Sequence, residues 1–113
     1  MSGRHLAGLR GWLWQRLTAL YLLVYLLLAA VVLWRAEIRD HADWVALLGQ
    51  PAVSVATALG LAAVLLHGWI GLRDIVIDYV RPAPLRLLVH GAVLLSLLLL
   101  AAWSGLILVR LHA

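Results

Sequence analysis

The chain has 113 residues, of which 65% are hydrophobic and 12% charged, and its mean hydropathy is +1.03. A soluble domain has about 25% charged residues and a chain this small needs them to cover its surface, so the composition excludes a soluble globular fold, and disorder with it. All nine basic residues are Arg and they are spread along the chain, which argues against a nucleic-acid-binding patch. With no Cys, this chain alone builds neither an iron–sulfur cluster nor a thiolate zinc site.

Three stretches without charged residues predict three membrane-spanning helices. They have 18, 29 and 23 residues and lie at 17–34, 44–72 and 87–109. A spanning helix needs about 20 apolar residues, and helix is the expected form because backbone groups in lipid must pair within their own segment. We therefore predict an all-α integral membrane protein with one transmembrane domain, residues 1–113, and helices near 12–34, 52–78 and 85–110.

The arginines predict the orientation of these helices. Six of them lie in the N-terminal flank and in the link between the second and third helices, and three lie on the opposite side. Because basic residues accumulate in cytoplasmic loops, the N-terminus is predicted to be cytoplasmic and the C-terminus periplasmic, in a bacterial inner membrane.

His67 is the clearest ionisable residue inside a predicted span, and such residues are functional candidates. It shares one helix face with Gly60, Ala63 and Gly71, at spacings of three and four residues. A stripe of small residues serves close helix contact and also leaves room for a flat macrocycle. Two interpretations stay open: a neutral histidine bonded to a neighbouring helix, or an axial ligand to a metal or haem.

His90 is the other histidine inside a span, but its depth differs from that of His67. His67 lies 11 residues before Asp78, which places it about 16 Å into the membrane, whereas His90 lies about 8 Å in. Two ligands of one haem are expected at similar depth. We therefore interpret His90 as a helix-packing or interface residue and expect the second ligand to come from another polypeptide.

Polar residues also gather where the second span meets the cytoplasmic interface. Arg73, Asp74, Asp78 and Tyr79 form either a solvated helix end or a polar pocket in which a tyrosine hydroxyl binds a carbonyl and a carboxylate relays a proton. Arg16, about one turn inside the first span, either extends to the interface or pairs with a buried anion such as a haem propionate.

Four short segments resemble the D-type hydrophobic membrane anchor subunit of succinate dehydrogenase, the cytochrome b anchor of complex II. They read QRLTA at 15–19, HGWIG at 67–71, DYVRP at 78–82 and LR at 85–86. The first segment is similar to the start of the family's first span, and the others follow its His-x-Trp-x-Gly and Asp-Tyr-Val-basic-Pro pattern.

The resemblance implies half of a haem-bridged helical anchor bundle. It implies that His67 is an axial ligand of haem b, that the partner C-type anchor supplies the second ligand, and that Tyr79 binds the ubiquinone carbonyl with Asp78 beside it as a proton relay. It gives Arg16 a role at the haem propionates or pocket. It also implies an iron–sulfur subunit and a flavoprotein subunit, which carry the chemistry that this chain lacks.

Three other functions remain open. A fumarate reductase-type anchor has the same plan, and the direction of reaction depends on partners outside this sequence. In a small structural membrane protein without haem, His67 would serve only in packing between helices. A transporter subunit that uses Asp74 and Asp78 for ion coupling requires acids near the membrane midplane, whereas these are expected at the interface.

Overall fold

The computed structural model describes residues 3–112, with side chains from residue 8 onward, and this part of the chain is helical without strands. The helices are α1 (Gly3–Arg35), α2 (His41–Gly49), α3 (Pro51–Tyr79) and α4 (Ala83–Arg110). Among the described residues, α1, α3 and α4 are long and apolar enough to cross a membrane. The predicted all-α class and the three spanning helices are thus confirmed. Residues 1, 2 and 113 of the predicted domain lie outside the described part.

The helix ends follow local sequence signals. Proline lies in the first turn of α3 and of α4, where its missing N–H has no helical partner to lose. These helices begin and end within two residues of the predicted bounds. Helix α1 begins nine residues before the predicted start at residue 12. Extending an existing helix costs little once its first turn has formed, so α1 continues through the basic flank.

Helix α2 is a short helix between α1 and α3 that lies outside the three predicted spans. Asp40 is its N-cap and accepts a hydrogen bond from the Asp43 backbone N–H at 3.0 Å. Asp43 Oδ2 accepts a hydrogen bond from the backbone N–H of Arg39, the residue before the N-cap, at 2.9 Å. The two bonds satisfy one N–H group in the first turn and one just before the helix. The predicted helices cover only the membrane spans and therefore do not include α2, although its capping residues stand in the sequence.

Helix α3 lies in the middle of the fold, with contacts to α1, α2 and α4. Within the described residues α1 and α4 do not contact each other, so the helices form an open layer rather than a closed bundle. Gly60 and Ala63 are buried on α3, and two tyrosines of α1 bond across the same contact. Tyr21 donates its hydroxyl to the Ala56 carbonyl at 2.7 Å, and the Tyr25 hydroxyl lies 3.0 Å from Thr57 Oγ1.

Most apolar side chains of the layer face outward. None of the residues of α4 is buried, and the only buried polar side chain in the described part is Thr18 of α1. Exposed leucine and valine on this scale need lipid or another apolar helix as their surroundings. The fold therefore leaves two broad apolar surfaces for lipid or a partner, and it places its polar contacts between α1 and α3.

Candidate functional site

A groove of about 440 Å³ lies between the N-terminal half of α1 and the C-terminal half of α3. Its lining combines small residues with polar and charged ones: Gly8, Gly11, Trp12, Gln15, Arg16, Ala19, His67, Ile70, Arg73 and Asp74. Two predicted site residues, His67 and Arg16, therefore meet in one groove although they are 51 positions apart in the sequence.

His67 points from α3 toward α1. Its Nδ1 lies 3.1 Å from Thr18 Oγ1, and its Nε2 lies 3.5 Å from Gln15 Nε2. The small residues that share its face also meet α1: a Cβ at Gly60 would lie 3.5 Å from the Tyr25 ring. The stripe predicted from spacing thus lies in the α1–α3 contact, with the histidine at its centre.

Two arginines border the groove from opposite helices. The Arg16 guanidinium lies 5.4 Å from the centre of the Trp12 ring, a cation–π contact on α1. Arg73 of α3 lies 3.6 Å from Asp74 and extends to α1, where its Nη2 would be 3.5 Å from a Cβ at Gly11. The lining contains two guanidinium groups and one carboxylate, so its net charge favours an added anion.

The groove also holds polar atoms that lack partners. Among the described side chains, Gln15 Oε1 and Arg73 Nε are buried without a hydrogen bond. Buried polar groups are nearly always paired in folded proteins, so the groove has capacity for a further polar group. A haem with propionates requires an imidazole for its iron, guanidinium groups for its carboxylates and space for its ring. The groove offers all three, with the space beside its glycines.

His90 lies away from this groove. Its Nδ1 donates to the Arg86 carbonyl at 3.1 Å, and its ring meets Trp69 edge-on with centres 6.2 Å apart. The Trp69 contact packs α4 against α3, as expected of a helix-packing histidine, whereas the bond to Arg86 lies within α4. Within the described part, no second histidine lines the groove beside His67.

Tyr79 and Asp78 lie at the end of α3 and do not line the groove. The Tyr79 side chain is 80% exposed, and Asp78 is exposed as well. Tyr79 lies twelve positions after His67 in the same helix, a rise of about 18 Å. The structure thus separates the predicted carbonyl-binding residue from the predicted haem ligand, and a site at Tyr79 needs walls from another chain. Asp74 lines the groove, whereas Asp78, one turn later, lies outside it.

The sequence reading gave no role to Thr18 or Gln15, which make the closest polar contacts to His67. Their spacing of three residues was a usable signal, because it places both on one face of α1. Tyr21 and Tyr25 extend that polar face toward the other end of the helix. Polar residues at helical spacing in an otherwise apolar span indicate the face that meets a neighbouring helix.

Two comparisons with known proteins point to one family. The model of the family described as succinate dehydrogenase/fumarate reductase transmembrane subunit matches residues 2–103. The chain is also similar to the succinate dehydrogenase hydrophobic membrane anchor subunit of Coxiella burnetii (strain RSA 493 / Nine Mile phase I). The two are 32% identical over 97 residues, which cover 86% of this chain and 84% of the relative.

Proposed function

The chain belongs to the succinate dehydrogenase/fumarate reductase transmembrane subunit family, and we propose that it is the D-type membrane anchor of a succinate:quinone oxidoreductase. The observation that carries the proposal is the position of His67 in a groove that Arg16 also lines. Ionisable residues within spanning helices are costly and mark candidate functional sites.

In this proposal His67 Nε2 is the ligand to the iron of haem b, and Arg16 binds a propionate. Arg73 lies across the groove from Arg16 and is suited to the same carboxylates. The groove contributes one histidine from the described part of this chain, so a C-type anchor subunit would supply the second ligand. When bound, the haem stores one electron and joins the two anchors.

The proposed quinone site lies at the end of α3. Tyr79 is exposed there and donates its hydroxyl proton in a hydrogen bond to a ubiquinone carbonyl, which favours negative charge on that oxygen. Asp78 beside it passes protons from water to the reduced quinone. Because Tyr79 is uncovered in this chain, neighbouring subunits close the site.

Other subunits supply the oxidation of succinate. The chain has no Cys for iron–sulfur clusters, so an iron–sulfur subunit and a flavoprotein subunit deliver the electrons. They dock beside the link between α3 and α4, on the side where the arginine count places the cytoplasm. The N-terminus is cytoplasmic and the C-terminus periplasmic in this arrangement, in a bacterial inner membrane.

Two alternatives have specific support. The family description covers fumarate reductase as well, and an anchor of that type uses the same residues with electrons flowing the other way. A structural protein without haem is favoured by the contacts of His67, because Thr18 and Gln15 of α1 lie beside both of its ring nitrogens. In that case His67 serves only to join the helices.

The test is a reduced-minus-oxidised visible spectrum of the complex purified with its co-expressed partners. We expect a low-spin b-type spectrum in the wild type that is lost or becomes high-spin in His67→Ala. His90→Ala is the matched control, since it removes a histidine that packs α4 on α3, and its spectrum should be unchanged. A normal low-spin spectrum in His67→Ala would leave His67 as a packing residue, and a wild type without haem would favour the structural alternative.

A further inference from the structure

Thr18 is the only buried polar side chain in the described part of the chain, 6% exposed, and it contacts His67. Its Oγ1 lies 2.7 Å from the Trp14 carbonyl, 3.1 Å from the Gln15 carbonyl and 3.1 Å from His67 Nδ1. A hydroxyl has one proton to donate and two lone pairs that accept. These contacts therefore cannot all receive the Thr18 proton.

The carbonyl of Trp14 is the acceptor that the geometry favours. Its oxygen is the closest of the three atoms around Thr18 Oγ1, and a carbonyl oxygen can only accept a hydrogen bond. Hydroxyls in helices commonly donate to the carbonyl four residues earlier, and in this chain Ser96 and Ser104 do so at 2.8 and 2.7 Å. Because Thr18 donates its hydroxyl proton to the Trp14 carbonyl, its Oγ1 accepts a hydrogen bond from His67. The ring proton of His67 is therefore on Nδ1.

The tautomer has a direct consequence for the other nitrogen. A neutral imidazole carries one proton, so a protonated Nδ1 leaves Nε2 with a free lone pair. The Gln15 amide nitrogen, a donor, lies 3.5 Å from Nε2, which is too far for a strong hydrogen bond. Nε2 is therefore an available base at the edge of the groove.

We propose that Thr18 is a positioning residue that holds His67 in the Nδ1-protonated tautomer, with Nε2 directed to bind the haem iron. The inference rests on the proposed function and adds the group that orients the ligand. Histidine ligands generally donate their second N–H to a nearby acceptor, which fixes the ring and makes the coordinating nitrogen more basic. Thr18 takes that place across the contact between α1 and α3.

The experiment compares Thr18→Val with Thr18→Ser in the complete purified complex. Valine keeps the shape of threonine and removes the acceptor, whereas serine keeps the hydroxyl. The readouts are haem content per complex, the affinity for added haem, and the midpoint potential of the haem. Thr57→Val is the matched control, because it removes a threonine hydroxyl from the same helix contact, at Tyr25, away from His67.

We expect Thr18→Val to lower haem affinity about 10- to 100-fold and to shift the midpoint potential upward, because a less basic imidazole stabilises oxidised iron less. Thr18→Ser should restore both values, and Thr57→Val should match the wild type. Wild-type affinity and potential in Thr18→Val, when His67→Ala loses haem, would overturn this inference and leave the proposed function standing. Retention of low-spin haem by His67→Ala, or a wild type without haem, would overturn both.

Discussion

Gly60 of α3 lies against the aromatic ring of Tyr25 of α1, so closely that a Cβ on the glycine would be 3.5 Å from the ring. Tyr25 also bonds to Thr57, three residues before Gly60. The two residues fix the distance between α1 and α3, and the same distance sets the width of the groove at His67, two helical turns further along α3.

A larger side chain at Gly60 should separate the two helices. Gly60→Ala places its methyl group at an ordinary contact distance and should leave the complex close to wild type. Gly60→Leu overpacks the contact, at a cost of about 1–3 kcal/mol, and should lower haem content through the displaced His67. Thermal unfolding of the purified complex and its haem-to-protein ratio measure both effects. Equal stability and haem content in Gly60→Leu would show that α1 and α3 do not need this contact.

The hydroxyl of Tyr79 should matter for quinone reduction and not for haem. Tyr79→Phe removes a hydrogen bond to an oxygen that becomes negatively charged, worth about 1.5–3 kcal/mol, so quinone reductase activity should fall about 10- to 100-fold. The haem spectrum should stay normal, because Tyr79 lies outside the groove and about 18 Å along the helix from His67. Tyr21→Phe is the control, as its hydroxyl bonds the Ala56 carbonyl inside the layer. Full activity in Tyr79→Phe would remove Tyr79 from the quinone site.

The charge of Arg16 should be visible in the haem potential. A cation near a haem stabilises the reduced form, which carries one more negative charge, so Arg16→Gln should lower the midpoint potential. An interaction of about 1 kcal/mol at an effective dielectric constant near 20 corresponds to a few tens of millivolts. Arg35→Gln, at the other end of α1, is the matched control. If the haem midpoint potential is the same in the wild type, Arg16→Gln and Arg35→Gln, the result would argue against an Arg16–propionate contact.

The N-cap of α2 offers a test of local stability. Asp40→Ala removes the acceptor for the Asp43 N–H and should destabilise α2 by about 0.5–2 kcal/mol. Asp40→Asn keeps an acceptor and should behave like the wild type. Hydrogen exchange of the amides in residues 41–49 measures the difference, with those of α4 as an internal reference. Unchanged exchange in Asp40→Ala would mean that packing on α3, rather than the cap, maintains this helix.

The site could be predicted from sequence only in part. His67 and Arg16 stand out because ionisable side chains are rare within apolar spans, and the structure brings them into one groove. Thr18 did not stand out, because a threonine in a spanning helix has no charge and its importance depends on what lies opposite. The separation of Tyr79 from the groove follows from helix geometry, although its exposure follows from the packing of this layer.

The sequence by itself determined that the chain lies in lipid, that its fold is all-α and that it has three spanning helices. An apolar chain in lipid must pair its backbone N–H and C=O groups within helices. The sequence also determined the ends of α3 and α4, through proline and charge, but not the start of α1. The tertiary structure decided which faces meet: α3 lies between α1 and α4, and α1 presents Thr18 and Gln15 to His67. Pairing between distant segments depends on side-chain shape and on hydrogen bonds across the contact, which periodicity along one helix does not specify.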